Sequence, residues 1–228
     1  MVTNLGFYFE TQKEVRGGKF VWFADSNPSL QKNQLLGGEL LNPKKGFDHF
    51  YAGQLGKYVP GGGLSSDTPG ITIFRAFKPK TAATASTEIV VTATGYEDAP
   101  EVGMLIMVAP SAAATTGQSS KITAVVYDKE NEKFTLTVDT ALTVTTDDIL
   151  VEAKGTSASA SATVLVDYVN FWIEKDTDLM PTDGFGVENG KYWMSGVSGC
   201  AAYKGRIQPL PAYILEQNKS LIDGVFEL

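Results

Sequence analysis

One cysteine, one histidine and no long apolar run define what this chain of 228 residues is not. The lone Cys200 excludes a disulfide within the chain and a Cys-based zinc cluster, and it fits a reducing compartment as a small buried apolar residue. The lone His49 excludes metal sites built from imidazole and leaves only all-oxygen calcium sites to consider. No stretch reaches the roughly 20 apolar residues of a membrane-spanning helix, so no membrane partner is expected. Met1 to Glu10 lacks the basic start, apolar run and cleavage site of a secretory signal, so folding in a cytoplasm is expected. Clustered bases are missing too. With 26 acids against 19 bases the net charge is -7, and sparse pairs such as Lys44 and Lys45 cannot neutralise a run of phosphates, which argues against nucleic acid as a partner. At 43% apolar and 20% charged the chain is still globular, long enough for one large β domain or two small ones.

Catalytic patterns are equally thin. His49, Asp98 and Ser198 follow the order of the chymotrypsin-type serine proteases, but their surroundings do not fit. His49 sits in Gly46-Phe-Asp-His-Phe-Tyr51, Ser198 is preceded by Val197 rather than an acid, and the residue two after it is Cys200, so the string is not a nucleophile elbow either. Asp176-Thr-Asp178 with Asp183-Gly184 lacks the spacing and terminal Glu of an EF-hand and reads as a solvated turn. Pro60-Gly-Gly-Gly63 is followed by no Lys-Ser or Lys-Thr and is not a phosphate loop. Paired carboxylates suited to glycoside hydrolysis exist in many combinations among 26 acids, and no motif favours any of them. No catalytic residue, cofactor or metal is expected, and the chain reads as non-enzymatic.

What the sequence does have is a splice. Residues 86–158 carry eleven acids against four bases, a net of -7, while the other 155 residues hold 15 of each. The same segment has only Tyr96, Tyr127 and Phe134 of the 24 aromatic residues. An acidic, aromatic-poor unit on a neutral, aromatic-rich base suggests one part facing solvent and another facing a surface. Within the base, residues 1–85 have ten bases and six acids, and residues 159–228 have five bases and nine acids, so the two arms can attract each other or the first can meet an acidic partner.

Helical periodicity is almost absent, and period-2 alternation recurs. Five strands are predicted in the acidic segment, at Glu88–Thr94, Met104–Val108, Lys121–Tyr127, Phe134–Asp139 and Asp148–Glu152, the third and fourth joined as a hairpin through Asp128-Lys-Glu-Asn-Glu-Lys133. Five short strands suit a small partly open barrel or sandwich. Small-residue stretches flank them at Lys80–Thr87 and Gly155–Thr163, able to pair or to act as linkers, and Ile71–Phe77 is expected to pair with Thr163–Ile173 across the insertion.

The fold expected is therefore mainly β: a discontinuous host domain (71–85 plus 159–228), an inserted acidic β module (86–158) and an extended N-terminal arm (1–70). Phe7–Phe9 and Phe20–Phe23 read as aromatic strands, and residues 27–70 as irregular chain rich in Gly, Pro, Asn and Lys. Phe20, Trp22, Phe47, Phe50, Tyr51 and Tyr58 are the candidate contacts with another subunit or a partner. The alternative is a loop packed on the host's own sheet.

Val102-Gly-Met-Leu-Ile-Met107, Lys121-Ile-Thr-Ala-Val-Val126, Phe134-Thr-Leu-Thr-Val-Asp-Thr-Ala-Leu142 and Asp147-Asp-Ile-Leu-Val151 resemble the β units of tailed-bacteriophage virion proteins, above all head fibre and capsid auxiliary (decoration) proteins. Ala201-Ala-Tyr203-Lys-Gly-Arg-Ile207-Gln-Pro-Leu-Pro211 is similar to the closing strand and Pro-containing terminus of such head fibres. Together these stretches span about half of the chain; residues 1–70 carry none of the resemblance. The resemblance implies a structural virion component on the head, bound to the major capsid protein or other virion proteins as a homo-oligomer, with a trimer the usual form. Alternatives are a tail, collar or portal-ring adaptor, or a non-catalytic surface or carbohydrate-binding β protein.

Overall fold

Two apolar patterns run through the chain and make two kinds of strand. Phe134, Leu136 and Val138 alternate with Thr135, Thr137 and Asp139, as in a strand with one wet face. Leu105-Ile-Met-Val108 is continuous, as in a strand covered on both faces. A computed structural model describes residues 32–43, 48–50, 53–64, 67–93, 98–173, 177–179, 191–198, 200–203, 207–217 and 222–226.

In chain order the elements are β1 (Lys32–Leu40), β2 (Asp48–Phe50), β3 (Leu55–Val59), β4 (Gly70–Ile73), β5 (Ala76–Phe77), β6 (Ala83–Thr92), β7 (Leu105–Val108), β8 (Ser119–Asp128), β9 (Lys133–Val144), β10 (Leu150–Glu152), β11 (Phe171–Ile173), β12 (Thr177–Leu179), β13 (Lys191–Ser198), β14 (Cys200–Tyr203), α1 (Ala212–Gln217) and β15 (Ile222–Phe226). The protein is mainly β. One sheet, β1-β13-β11-β3-β4, curls into a barrel that closes through parallel pairing of β1 with β4. The second has six strands in the order β5-β10-β7-β8-β9-β6. The β2–β12 pair forms a separate two-stranded sheet, with Asp178 opposite His49, while β11 and β3 pair with Phe171 opposite Gly56.

All five strands expected in the acidic segment are present, and β8 and β9 form the expected hairpin. Its turn is fixed by the Asp128 carboxylate, which accepts from the Asn131 backbone at 3.1 Å and side chain at 2.8 Å, with Glu132 at a φ of 46°. Phe134, Leu136 and Val138 face inward.

Other expectations are corrected. The chain between Ile71 and Phe77 is two strands, because it breaks at Phe74 and Arg75. Of these, β4 joins the barrel and β5 the six-stranded sheet. β4 does not pair with the 163–173 segment, since β3 lies between β4 and β11. Nor do the two small-residue flanks pair with each other. The first belongs to β6, which pairs with β9 through two register shifts around Ala85, at a φ of 46°. The second returns through single bridges from Ala162 to Gly117 and from Val164 to Ala153. Residues 32–59, expected within an arm, supply three strands, two of them in the barrel. Glycine disguised β1 in the sequence. A Cβ on Gly38 would lie 2.7 Å from the Pro69 carbonyl oxygen, where the chain enters β4 and Glu39 donates to that oxygen at 2.8 Å, so the residue that looks like a loop former is the one that lets β4 close the barrel. The tail holds a short helix that the sequence pattern did not suggest, starting after Pro211 and burying Tyr213 and Ile214.

The described residues form three apolar clusters. One lies inside the barrel, with Leu36, Leu40, Phe50, Ile71, Ile73, Phe171 and Ile173. Another lies in the curl of the six-stranded sheet, with Phe77, Ile89, Ile106, Phe134, Leu136 and Leu150 among its members. The largest lies between the two sheets, where Leu55, Phe74, Trp172, Tyr213 and Ile214 meet Leu105, Met107 and Val151. Strands β5, β10 and β7 thus divide their side chains between two cores: Ala76, Val151, Leu105 and Met107 go one way, and Phe77, Leu150 and Ile106 the other.

Excising residues 86–158 strips Leu105, Met107 and Val151 from the core shared with Trp172 and Tyr213, a loss on the order of 5 kcal/mol of burial. The shortened chain is expected to be insoluble or to lack a cooperative transition by circular dichroism; a soluble, cooperatively folding product would show the barrel to be independent. At Gly56 a Cβ would overlap the Phe171 ring, itself locked in the barrel core, so Gly56→Ala is expected to cost about 1–3 kcal/mol in chemical denaturation.

Candidate functional site

A charged residue in the middle of an apolar run must find partners or unfold the site. Arg75 stands in such a run, between Phe74 and Ala76, and is 2% exposed. It lies where the chain leaves the barrel for the six-stranded sheet. Its Nε donates to Oδ2 of Asp98 at 2.9 Å, and its Nη1 donates to Oε2 of Glu152 on β10 at 3.2 Å. Asp98 is as deeply buried as Arg75, with its other oxygen accepting from the Ala99 amide at 2.9 Å. The same Glu152 oxygen accepts from Nδ2 of Asn42 at 2.9 Å. Four residues from four parts of the chain therefore meet at the seam between the sheets.

Asn42 fastens the barrel side. Its amide pairs with both backbone groups of Ile73, accepting from the nitrogen at 2.9 Å and donating to the oxygen at 2.8 Å, so the side chain extends the ladder past the end of β1. Asn170 does the same beside β3, pairing with the nitrogen and oxygen of Tyr58 at 2.8 Å each. On the far side of the shared core Tyr213 donates to the Val166 carbonyl at 3.1 Å, and burial, reinforced by Asp167, raises its phenol well above the usual range. The Glu152 carboxyl is also raised. Burial is the main cause, offset in part by the Arg75 charge and the Asn42 bond and added to by Asp98.

The sequence candidates fare differently. Phe20, Trp22, Phe47 and Tyr51 lie outside the described residues. Phe50 is 2% exposed and belongs to the barrel core, so within this chain its ring is already covered. Tyr58 is half-buried on β3 and packs against the same core. The serine-protease order does not assemble. Asp98 is committed to Arg75, and Ser198 ends β13 in the barrel sheet while His49 pairs opposite Asp178 in the separate β2–β12 sheet. Among the described residues, no three metal-ligating side chains converge.

The sequence reading missed Arg75, Asn42 and Glu152, although an arginine framed by Phe and Ala in a β run was the available signal. It also missed three exposed apolar side chains on and beside β8. Val126 and Tyr127 on β8 and Val102 in the neighbouring loop are 62%, 49% and 52% exposed, with the loop held beside β8 by the Gly103 amide on the Ile122 carbonyl at 2.8 Å. No family model, no curated protein and no solved structure matches the chain.

Removing the cation should be far worse than removing the cluster. Arg75→Met leaves the Asp98 and Glu152 carboxylates buried without their shared partner and is expected to lower stability by about 3–5 kcal/mol, read as a drop in the urea midpoint at unchanged slope. A loss below about 1 kcal/mol would mean that the site is wetter than its burial indicates.

Proposed function

We propose that the chain is a non-enzymatic structural component of a phage virion, attached to the capsid as a head fibre or auxiliary (decoration) protein and working as a homo-oligomer. The observation that carries this reading is the placement of the four stretches that resemble such proteins. They fall on β7, β8, β9 and β10, which are consecutive neighbours in one sheet, in the order β10-β7-β8-β9, while the fifth stretch, Ala201–Pro211, begins on β14 outside that sheet. The charge arrangement supports it. Glu88, Glu130, Glu132, Asp139 and Asp147 are exposed on that sheet and its turns, while Asp98 and Glu152 are drawn into the seam. An acid-bearing outer sheet favours solubility and resists non-specific association. The aromatic-rich barrel side and the residues before Lys32 are then the parts proposed to meet the shell.

Purified protein added to empty capsids of a candidate phage is expected to label the head surface at regular positions in negative-stain images. Labelling of tails alone, or of bacterial envelopes alone, would reject the head assignment. Because residues 32–59 contribute to the barrel, the arm is tested by removing residues 1–31 only. That variant is expected to fold and to lose capsid binding, and unchanged binding would move the contact elsewhere.

A further inference from the structure

The outer edge of a sheet is a row of backbone groups able to take up another strand. In the order β5-β10-β7-β8-β9-β6 the terminal strands are β5 and β6, and the chain that follows β5 covers part of β6. Pro79 bridges Val91, the Lys80 amide donates to the Val90 carbonyl at 2.8 Å, and the Thr92 amide donates to the Lys78 carbonyl at 2.9 Å. Residues 78–80 thus close the sheet along Val90–Thr92. The other half of β6, from Ala83 to Glu88, lies beyond that closure, and its Thr84, Ala85, Thr87 and Glu88 are exposed. We propose that Ser86 blocks this half of the edge against strand addition by a second copy of the chain. The inference is independent of the virion role.

The ladder identifies the groups at stake. From Glu88 to Thr92 the pairing with β9 runs without a register shift, so the backbone groups of β6 alternate between inward and outward. Val90 and Thr92 bond outward to residues 78–80, and Ala93 bonds inward, to the Glu132 carbonyl at 2.9 Å in the turn that leads into β9. Glu88, two residues before Val90, therefore also directs its amide and carbonyl outward. One side chain takes both. The Ser86 hydroxyl accepts from the Glu88 amide at 3.0 Å and donates to the Glu88 carbonyl at 2.9 Å. The two groups that an incoming strand would bond are occupied from within β6.

Its surroundings act in the same direction. Register shifts lie on both sides of Ser86, and Ala85 has a φ of 46° with its amide donating to the Thr143 hydroxyl at 3.0 Å, so the edge is turned out of line. The exposed Glu88 side chain brings like charges together when two copies pair along this edge. The partner to be excluded is another copy, because Ile89-Val-Val-Thr92 is an uncharged β-branched run that pairs well with itself once Glu88 is neutral and its backbone free.

Two variants of the full chain separate the hydroxyl from the charge. Glu88→Thr removes the carboxylate and keeps the Ser86 bonds, whereas Ser86→Val/Glu88→Thr removes both. Circular dichroism is expected to show the same fold in each, and Ser86→Ala/Glu88→Thr, which adds no bulk, replaces the valine variant if that one unfolds. In analytical ultracentrifugation over a wide range of concentration, Glu88→Thr should sediment as the wild type does. The double variant should add larger species whose fraction rises several-fold with concentration. Hydrogen exchange locates the contact: protection of the Glu88 amide should rise several-fold with concentration in the double variant alone, with the amides of β7 unchanged. A folded double variant that sediments like the wild type, equal association in Glu88→Thr, or association without a change at the Glu88 amide would each overturn the proposal.

Discussion

Double-sided burial of β5, β10 and β7 is the constraint on which the rest of the structure depends. A strand that alternates between core and water can be removed at the expense of one core. A strand whose odd and even residues enter different cores cannot. Leu150 faces Phe134 and Leu136 in the curled sheet, and its neighbour Val151 joins Trp172 and Tyr213 between the sheets. Ala76 and Phe77 divide in the same way, as do Met107 and Ile106. The acidic segment is thus distinct in composition without being separate in packing, and the place where its charge begins is not the place where its core begins.

The same three strands explain why charge is tolerated at the seam. Apolar faces alone would hold two sheets together but would let them slide, because dispersion contacts have little directional preference. Arg75 removes that freedom, since its two nitrogens meet two carboxylates from different parts of the chain, Asp98 before β7 and Glu152 on β10. Asn42 then ties one of those carboxylates back to the barrel through the Ile73 backbone. Desolvating three charged groups is costly, and a well-packed apolar set of similar volume would give comparable or greater net stability. What the ionic set contributes is one relative placement of the sheets.

Much of the fold was legible from alternation alone. Strands β6, β8 and β9 and the β8–β9 hairpin followed from alternation and a polar turn, because one face of each is wet, whereas β7 and β10 followed only as short continuous apolar runs. Beyond that segment the signal failed for identifiable reasons. β1 contains Gly37 and Gly38, and closure of the barrel at Pro69 requires Gly38 to have no side chain. β4 and β5 read as one strand because both are fully buried and nothing but the backbone marks the break between them. Pairing partners were the least legible feature: the order β1-β13-β11-β3-β4 joins residues from both ends of the chain, and alternation carries no information about which strand lies beside which. The seam cluster was half legible, in that Arg75 announced itself within an apolar run while Asp98 and Glu152 looked like two more acids in an acidic segment.

That last confusion changes the meaning of the charge boundary. Of the eleven acids between residues 86 and 158, Asp98 and Glu152 do not colour the outer surface, and the base they answer to, Arg75, lies outside the segment. The sheet's exposed acids are concentrated instead at the β8–β9 turn, on the outer face of β9 and in the turn before β10. A net charge distributed in this way makes copies of the sheet repel one another. The residues outside 86–158, neutral in sum and rich in aromatics, have the composition of a surface that would meet a partner in the proposed role. In the proposed role the two sheets then divide the work, and the seam that fixes them in one geometry determines how the acidic face is presented.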